Sequence, residues 1–155
     1  METATALAGA RVLDLFAGTA ALGLEAISRG AESLVAVEKS KAAALICLRN
    51  IQLVQSALAK QQITVSIQLL TKDAEGFLRT NQSQFDLVFI DPPYEMSNQK
   101  LTVVLNLLTR SLAAGALVVV ERSGREELSE FSELQLQGQK SYGDTCVYFL
   151  RASAQ

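Results

Sequence analysis

The residues Asp91-Pro92-Pro93-Tyr94 close the apolar run Phe85-Asp86-Leu87-Val88-Phe89-Ile90. An acid, two prolines and an aromatic at the end of a buried strand suit methylation of an exocyclic amine on a nucleobase. The amine lone pair of guanine or adenine is delocalised into the ring. It becomes nucleophilic when its N–H bonds are held by acceptors that favour a tetrahedral nitrogen, and Asp91 together with a backbone carbonyl can supply them. The proline rings fix φ and remove N–H donors, so this turn offers carbonyls without competing amides. Tyr94 can stack on the base. The nitrogen becomes strongly acidic only as it gains the methyl group, so Asp91 or water can take the proton late and no strong base is needed. The plainer reading is a strand-ending turn in which Asp91 caps the next helix and Tyr94 is a half-buried aromatic. The strand-then-helix context favours the chemical reading.

A second group of residues lies after the first apolar run, Arg11-Val12-Leu13-Asp14-Leu15-Phe16. Gly18-Thr19-Ala20-Ala21-Leu22-Gly23 matches the G-x-G-x-x-G fingerprint except that Ala20 replaces the middle glycine. Glu38 lies twenty residues beyond Gly18, at the end of the next apolar run. A carboxylate there can accept hydrogen bonds from both hydroxyls of a ribose, which points to an adenosine-type cofactor. The Ala20 methyl narrows the approach that a pyrophosphate needs, which disfavours NAD and permits a cofactor without phosphates. Taken singly, the loop can be a ligand-free turn, Glu38 a solvated strand-end residue and Asp73 a helix N-cap. All three fall after successive strands on one edge of the sheet, where one extended ligand can touch them together.

The elements that must position these groups alternate. Strands are expected over 11–16 and 34–38, a helix from about Leu22 to Gly30, and a second helix, capped by Ser40, through Val54. Residues 63–71 alternate Ile63, Val65, Ile67 and Leu69 with polar positions, as a strand near a sheet edge would. A short helix from Ala74 to about Arg79, the strand 85–90, a helix from about Ser97 to Leu112 and a strand 116–120 continue the rhythm. Residues 134–137 and 145–150 flank the Tyr142-Gly143-Asp144 turn as an antiparallel hairpin. The expectation is one α/β domain over 1–155 with a Rossmann-like, mostly parallel sheet, an antiparallel C-terminal hairpin and helices on both faces. Ligands then bind beyond the carboxyl ends of the strands.

Composition narrows the chemistry. The 155 residues carry 14 Lys and Arg against 16 Asp and Glu and no histidine. Ser-His-Asp hydrolysis and His-ligated zinc are excluded, and no metal site is expected. A net charge of -2 gives no global field for a polyanion, so a nucleic-acid partner must meet a local patch. Lys39, Lys41, Lys100, Arg122 and Arg125 are candidates for phosphate contact near the cleft mouth. Cys47 and Cys146 sit in apolar stretches and read as buried thiols rather than a disulfide. No apolar run approaches the roughly 18 residues of a membrane span, and residues 1–10 lack the basic start of a secretory signal. No membrane partner and a cytoplasmic location are expected.

The segments VLDLFAGTAALGLEAISRGA, VEKS and FDLVFIDPPYE resemble the bacterial methyltransferases that modify guanine N2 in small-subunit ribosomal RNA, over nearly the whole chain from Arg11 onward. The acid-Pro-Pro-aromatic signature alone is shared with DNA adenine-N6 methyltransferases and, with Asn in first place, with glutamine methyltransferases; Asp91 favours a base. The resemblance implies S-adenosylmethionine as cofactor, with Asp14, Phe16, Gly18 and Thr19 along its methionine part, Glu38 on its ribose and Asp73 at the adenine amine. It implies that Asp91 and Pro92 grip the target amine and that Tyr94 stacks on the guanine. Pro93, Arg122 and Arg125 are expected on the substrate side as well. The implied substrate is ribosomal RNA or an assembly intermediate of the small subunit. That family usually carries some tens of residues before the first strand, with an Arg-Pro-Thr-like segment; ten residues precede Arg11 here. The alternatives are a DNA adenine-N6 methyltransferase, a cofactor-binding module inactive without a partner, and a nicotinamide oxidoreductase.

Overall fold

The apolar runs become parallel strands because their side chains are buried on both sheet faces, and the polar positions between them mark where the chain turns. A computed structural model describes residues 7–124 and 127–154. The strands are β1 (Arg11–Asp14), β2 (Ser33–Val37), β3 (Ser66–Leu70), β4 (Phe85–Ile90), β5 (Leu112–Ser123), β6 (Gln135–Tyr142) and β7 (Thr145–Arg151). They form one sheet in the order β3-β2-β1-β4-β5-β7-β6. β1 to β5 run parallel, and β7 is antiparallel to both β5 and β6. The strand order reverses between β1 and β4, which places the switch point, and hence the ligand crevice, beyond their carboxyl ends.

Helices α1 (Ala21–Ser28), α2 (Lys41–Lys60), α3 (Ala74–Thr80) and α4 (Asn98–Leu108) cover the two faces. On one side Leu24 and Ile27 of α1 and Cys47 and Ile51 of α2 pack with Leu34 and Ala36 of β2. On the other, Phe77 and Leu78 of α3 and Leu101, Val104, Leu105 and Leu108 of α4 pack on Val88, Val118 and Val120. Each of these large side chains, taken out of water, contributes about 1.5–3 kcal/mol. Ser40 and Asp73 are caps the sequence offers, and Ser97, expected as the first helical residue, is a third; they accept the amides of Ala43, Gly76 and Lys100 at 2.9 to 3.2 Å.

Several boundaries differ from expectation. α4 ends at Leu108, followed by a 3-10 turn, Thr109–Ser111, and β5 already begins at Leu112. The buried Ser111 hydroxyl accepts from Asn81 Nδ2 at 2.8 Å, and the early start of β5 is absorbed by a break in its register with β4, where Phe85 pairs with Leu112 but Leu87 with Leu117. β6 extends to Tyr142 although its side chains are mostly exposed, because an edge strand needs no apolar alternation. β3 lies at the opposite edge, as its alternating pattern predicts, but begins only at Ser66. Contrary to the reading that no run nears span length, α2 is long and apolar enough to cross a membrane. In the fold it is the crossover between β2 and β3, with Ala44, Cys47 and Ile51 buried against the sheet. Both cysteines are free thiols, Cys47 buried and Cys146 half-buried.

Candidate active site

A cleft of about 710 Å³ opens at the carboxyl ends of the parallel strands. Its walls are the loop after β1 (Asp14 to Thr19), the loop after β2 (Glu38 to Ser40), the segment after β3 (Lys72 to Glu75), Asp91 and Pro93 after β4, and Lys100 and Val104 of α4. The strand ends are stitched together by main chain: Leu15 N donates to Phe89 O, Ala17 N to Val37 O, and Glu38 N to Leu70 O, at 3.0, 2.9 and 3.0 Å.

The glycine loop is shaped for this place. Gly18 holds φ +58°, and its amide donates to Glu38 Oε1 at 2.7 Å. Ala20 also adopts the left-handed conformation, φ +66°, with its side chain fully buried, at a cost of about 1–2 kcal/mol relative to glycine. At Gly23 a β-carbon would fall 2.7 Å from Leu34 Cδ1 and 3.1 Å from Asp14 Oδ2, so close packing of α1 on β2 requires glycine. Asn50 of α2 donates from Nδ2 to Thr19 O at 2.9 Å and steadies the loop from outside. Sequence alone does not single out Asn50, because it is one of several polar residues on this helix, beside Arg49, Gln52, Gln55 and Ser56.

Five carboxylates line the cleft, Asp14, Glu38, Asp73, Glu75 and Asp91, and three of them shape its centre. Glu38 bridges two loops, since Oε2 accepts from the Ser40 amide at 2.8 Å while Oε1 holds Gly18. Asp14 is buried beneath the loop and accepts from the Gly23 amide at 3.1 Å. Burial raises its pKa to about 7, and the charges of Asp91 and Glu38 push it the same way, while the Gly23 amide opposes the rise. Asp91 faces the cleft mouth, and partial desolvation, then repulsion from Glu121, holds its carboxyl above the ordinary carboxylate range. No donor among the described residues hydrogen-bonds to Asp91, so its oxygens are available to a ligand N–H.

Of the two proline carbonyls, that of Pro93 accepts the Met96 amide at 3.0 Å. The carbonyl of Pro92 takes no donor from the described residues, and the Pro92 ring is buried while Pro93 lines the cleft. Tyr94 is 59% exposed. Asp73 caps α3 through one oxygen and also lines the cleft. Lys39 and Lys100 line the cleft, and so does Lys72, which is not among the cations expected from sequence. Lys41 is exposed at the start of α2.

Arg122 is a correction. The expectation places it at the surface against phosphate, yet it is buried, 3% exposed. Nη2 donates to Met96 O at 2.7 Å and to Asn98 Oδ1 at 2.8 Å, and Nε donates to the same oxygen at 3.2 Å. It clamps the segment that joins the Asp91 turn to α4. Arg125 lies outside the described residues.

The residues present fit S-adenosylmethionine. The Glu38 carboxylate stands twenty residues after Gly18, where it can accept from ribose hydroxyls, an acidic side chain, Asp73, sits at the far wall, and Phe16, Val37, Met96 and Val104 give apolar surface for a base. The buried Ala20 methyl stands where a pyrophosphate would need bare backbone.

Residues 2–151 match the family described as Conserved hypothetical protein 95. The chain belongs to that family. YlbH of Bacillus subtilis is 35% identical over 145 residues, covering 90% of this chain and 74% of its own. Ribosomal RNA small subunit methyltransferase D of Escherichia coli K12 is 32% identical over 120 residues, covering 76% of this chain and 56% of its own. The chain therefore spans little more than half the length of that relative. The solved structure of E. coli yhhF superposes with a TM-score of 0.82 at 29% identity, over 99% of this chain and 82% of that one. The family fold is Rossmann-like and that of methyltransferases, as expected from the strand order.

Proposed function

We propose that this chain transfers a methyl group from S-adenosylmethionine to the exocyclic N2 of a guanine in small-subunit ribosomal RNA. The observation that carries the reading is that Asp91, with no donor of its own among the described residues, opens into the same cleft as Glu38. Family membership supports the methyltransferase part of it.

Bound S-adenosylmethionine supplies an electrophilic methyl group on a sulfonium. The chain's own work is to hold the other reactant. Asp91 and the Pro92 carbonyl accept the two N–H bonds of the amine, which localises its lone pair and aims it. Tyr94 stacks on the base, and Asp91 takes the proton once the new N–C bond has made it acidic. Glu38 and Asp73 hold ribose and adenine, and Asp14, Phe16, Gly18 and Thr19 surround the amino-acid end. Pro93 forms part of the wall between the two ligands. A guanine inside a helix must leave its stack first, so an exposed loop or an assembly intermediate of the small subunit is the fitting substrate. A cytoplasmic location goes with that reading.

The test is transfer of labelled methyl groups to small ribosomal subunits lacking the modification, to protein-free 16S RNA and to duplex DNA. Label in either RNA sample supports the reading. Label in DNA alone makes the chain an adenine-N6 enzyme, and label in none, with cofactor bound, makes it a binding module.

A further inference from the structure

The carboxyl end of β5 contains a feature that the functional reading leaves unused, and the role inferred for it rests on that reading. Gly124 lies just past β5 with φ +64°. A β-carbon at this position would fall 2.6 Å from Tyr94 Cε1 and 3.5 Å from both Cδ1 and Cζ. The two equal, longer distances place Gly124 off the outer edge of the ring, along its Cε1–H bond, and not over a face. The contact therefore limits how far this edge of the ring can move towards β5, and Gly124 itself covers neither stacking face. The Gly124 amide donates to Asp144 O at 2.8 Å, which fastens this point to the β6–β7 turn. Two residues earlier, Arg122 fastens the other side of the same segment through Met96 and Asn98.

We propose that Gly124 is a positioning residue: its bare α-carbon is the stop against which the edge of Tyr94 rests, and so sets how far into the cleft mouth the ring that stacks on the target base stands. Any side chain at 124 swings the ring away and misaligns the amine with the methyl donor.

Gly124→Ala tests this against Gly143→Ala. Gly143 has φ +55° in the nearby hairpin turn and nothing within 4 Å of its β-carbon, so it reproduces the backbone strain without the collision. Gly124→Asn repeats the collision in a residue type that tolerates the left-handed region. With methyl transfer to small ribosomal subunits as readout, Gly124→Ala and Gly124→Asn lower kcat by about tenfold or more while S-adenosylhomocysteine affinity holds. Gly143→Ala keeps kcat, and in a Tyr94→Ala background Gly124→Ala costs less than about twofold. In NMR spectra, a Gly124 α-proton lies beside the ring edge and is deshielded there; Tyr94→Ala moves it upfield. An equal loss in both backgrounds, full activity of Gly124→Ala, or an unmoved α-proton overturns the proposal. Absence of turnover in the unsubstituted protein overturns the functional reading instead, and the NMR comparison still decides whether the stop exists.

Discussion

The carboxylate of Glu38 accepts the amide hydrogen of Gly18 at 2.7 Å, so the end of β2 fixes the loop after β1. A second amide, that of Ser40, is held by the other oxygen. The acid thus shapes the cleft as well as facing it. Glu38→Ala releases both amides and removes the ribose acceptor, so S-adenosylhomocysteine affinity falls about tenfold or more in calorimetric titration. Glu38→Gln keeps one acceptor and turns a donor towards an amide, and its loss is intermediate. NADH gives no saturable heat. Unchanged affinity in Glu38→Ala would remove this residue from the cofactor site.

Asp91 acts on the acceptor amine and not on the cofactor. Asp91→Ala therefore loses about 10²-fold or more in turnover while S-adenosylhomocysteine binding is retained. Because desolvation and Glu121 raise the Asp91 pKa, turnover declines on acidification at a higher pH than an ordinary carboxylate would give. A larger loss of cofactor binding than of turnover would move Asp91 out of this role.

Arg122 holds loop geometry rather than phosphate. Arg122→Met leaves Met96 O and Asn98 Oδ1 without this donor, and stability falls by about 1.5–3 kcal/mol in denaturant unfolding. The salt dependence of RNA binding keeps its slope, because no phosphate contact is lost. A shallower slope, with unfolding unchanged, would restore the phosphate role. Lys39→Ala and Lys100→Ala are the substitutions expected to reduce it.

Asp14 makes stability fall as pH rises. Its folded pKa, about 7, lies above the ordinary value of 3.8, so between the two the folded state keeps a proton that the unfolded state has lost. The penalty is absent below the lower value and complete above the upper one. Asp91, raised likewise, adds in the same direction, whereas Asp86, lowered by Arg11, acts only below its ordinary value. Unfolding without cofactor should show stability decreasing from pH 5 to pH 8, and Asp14→Asn should flatten much of that slope. An identical slope in both proteins would contradict the assignment.

The parallel half of the fold is legible in the sequence because buried central strands such as Phe85–Ile90 are nearly continuous apolar runs, and the caps Ser40 and Asp73 are local in sequence. The edge strand Gln135–Tyr142 is only half legible because solvent faces most of it. Among site residues, those in the glycine loop, Glu38, Asp73 and Asp91 share the cleft as their places after successive strands suggest. Arg122 misleads, since a strand-end arginine looks solvated until Asn98 and the Met96 carbonyl, more than twenty residues away, close over it. Gly124 carries no signal at all, because its contact with Tyr94 exists only in three dimensions.

The identity of the modified atom decides between guanine and adenine chemistry. After reaction with S-adenosylmethionine, small ribosomal subunits lacking the modification are digested to nucleosides and the methylated product is identified by mass spectrometry, beside the Asp91→Ala protein. The unsubstituted protein is expected to give N2-methylguanosine, and Asp91→Ala only background. A methylated adenine, or N2-methylguanosine formed equally by both proteins, would contradict it.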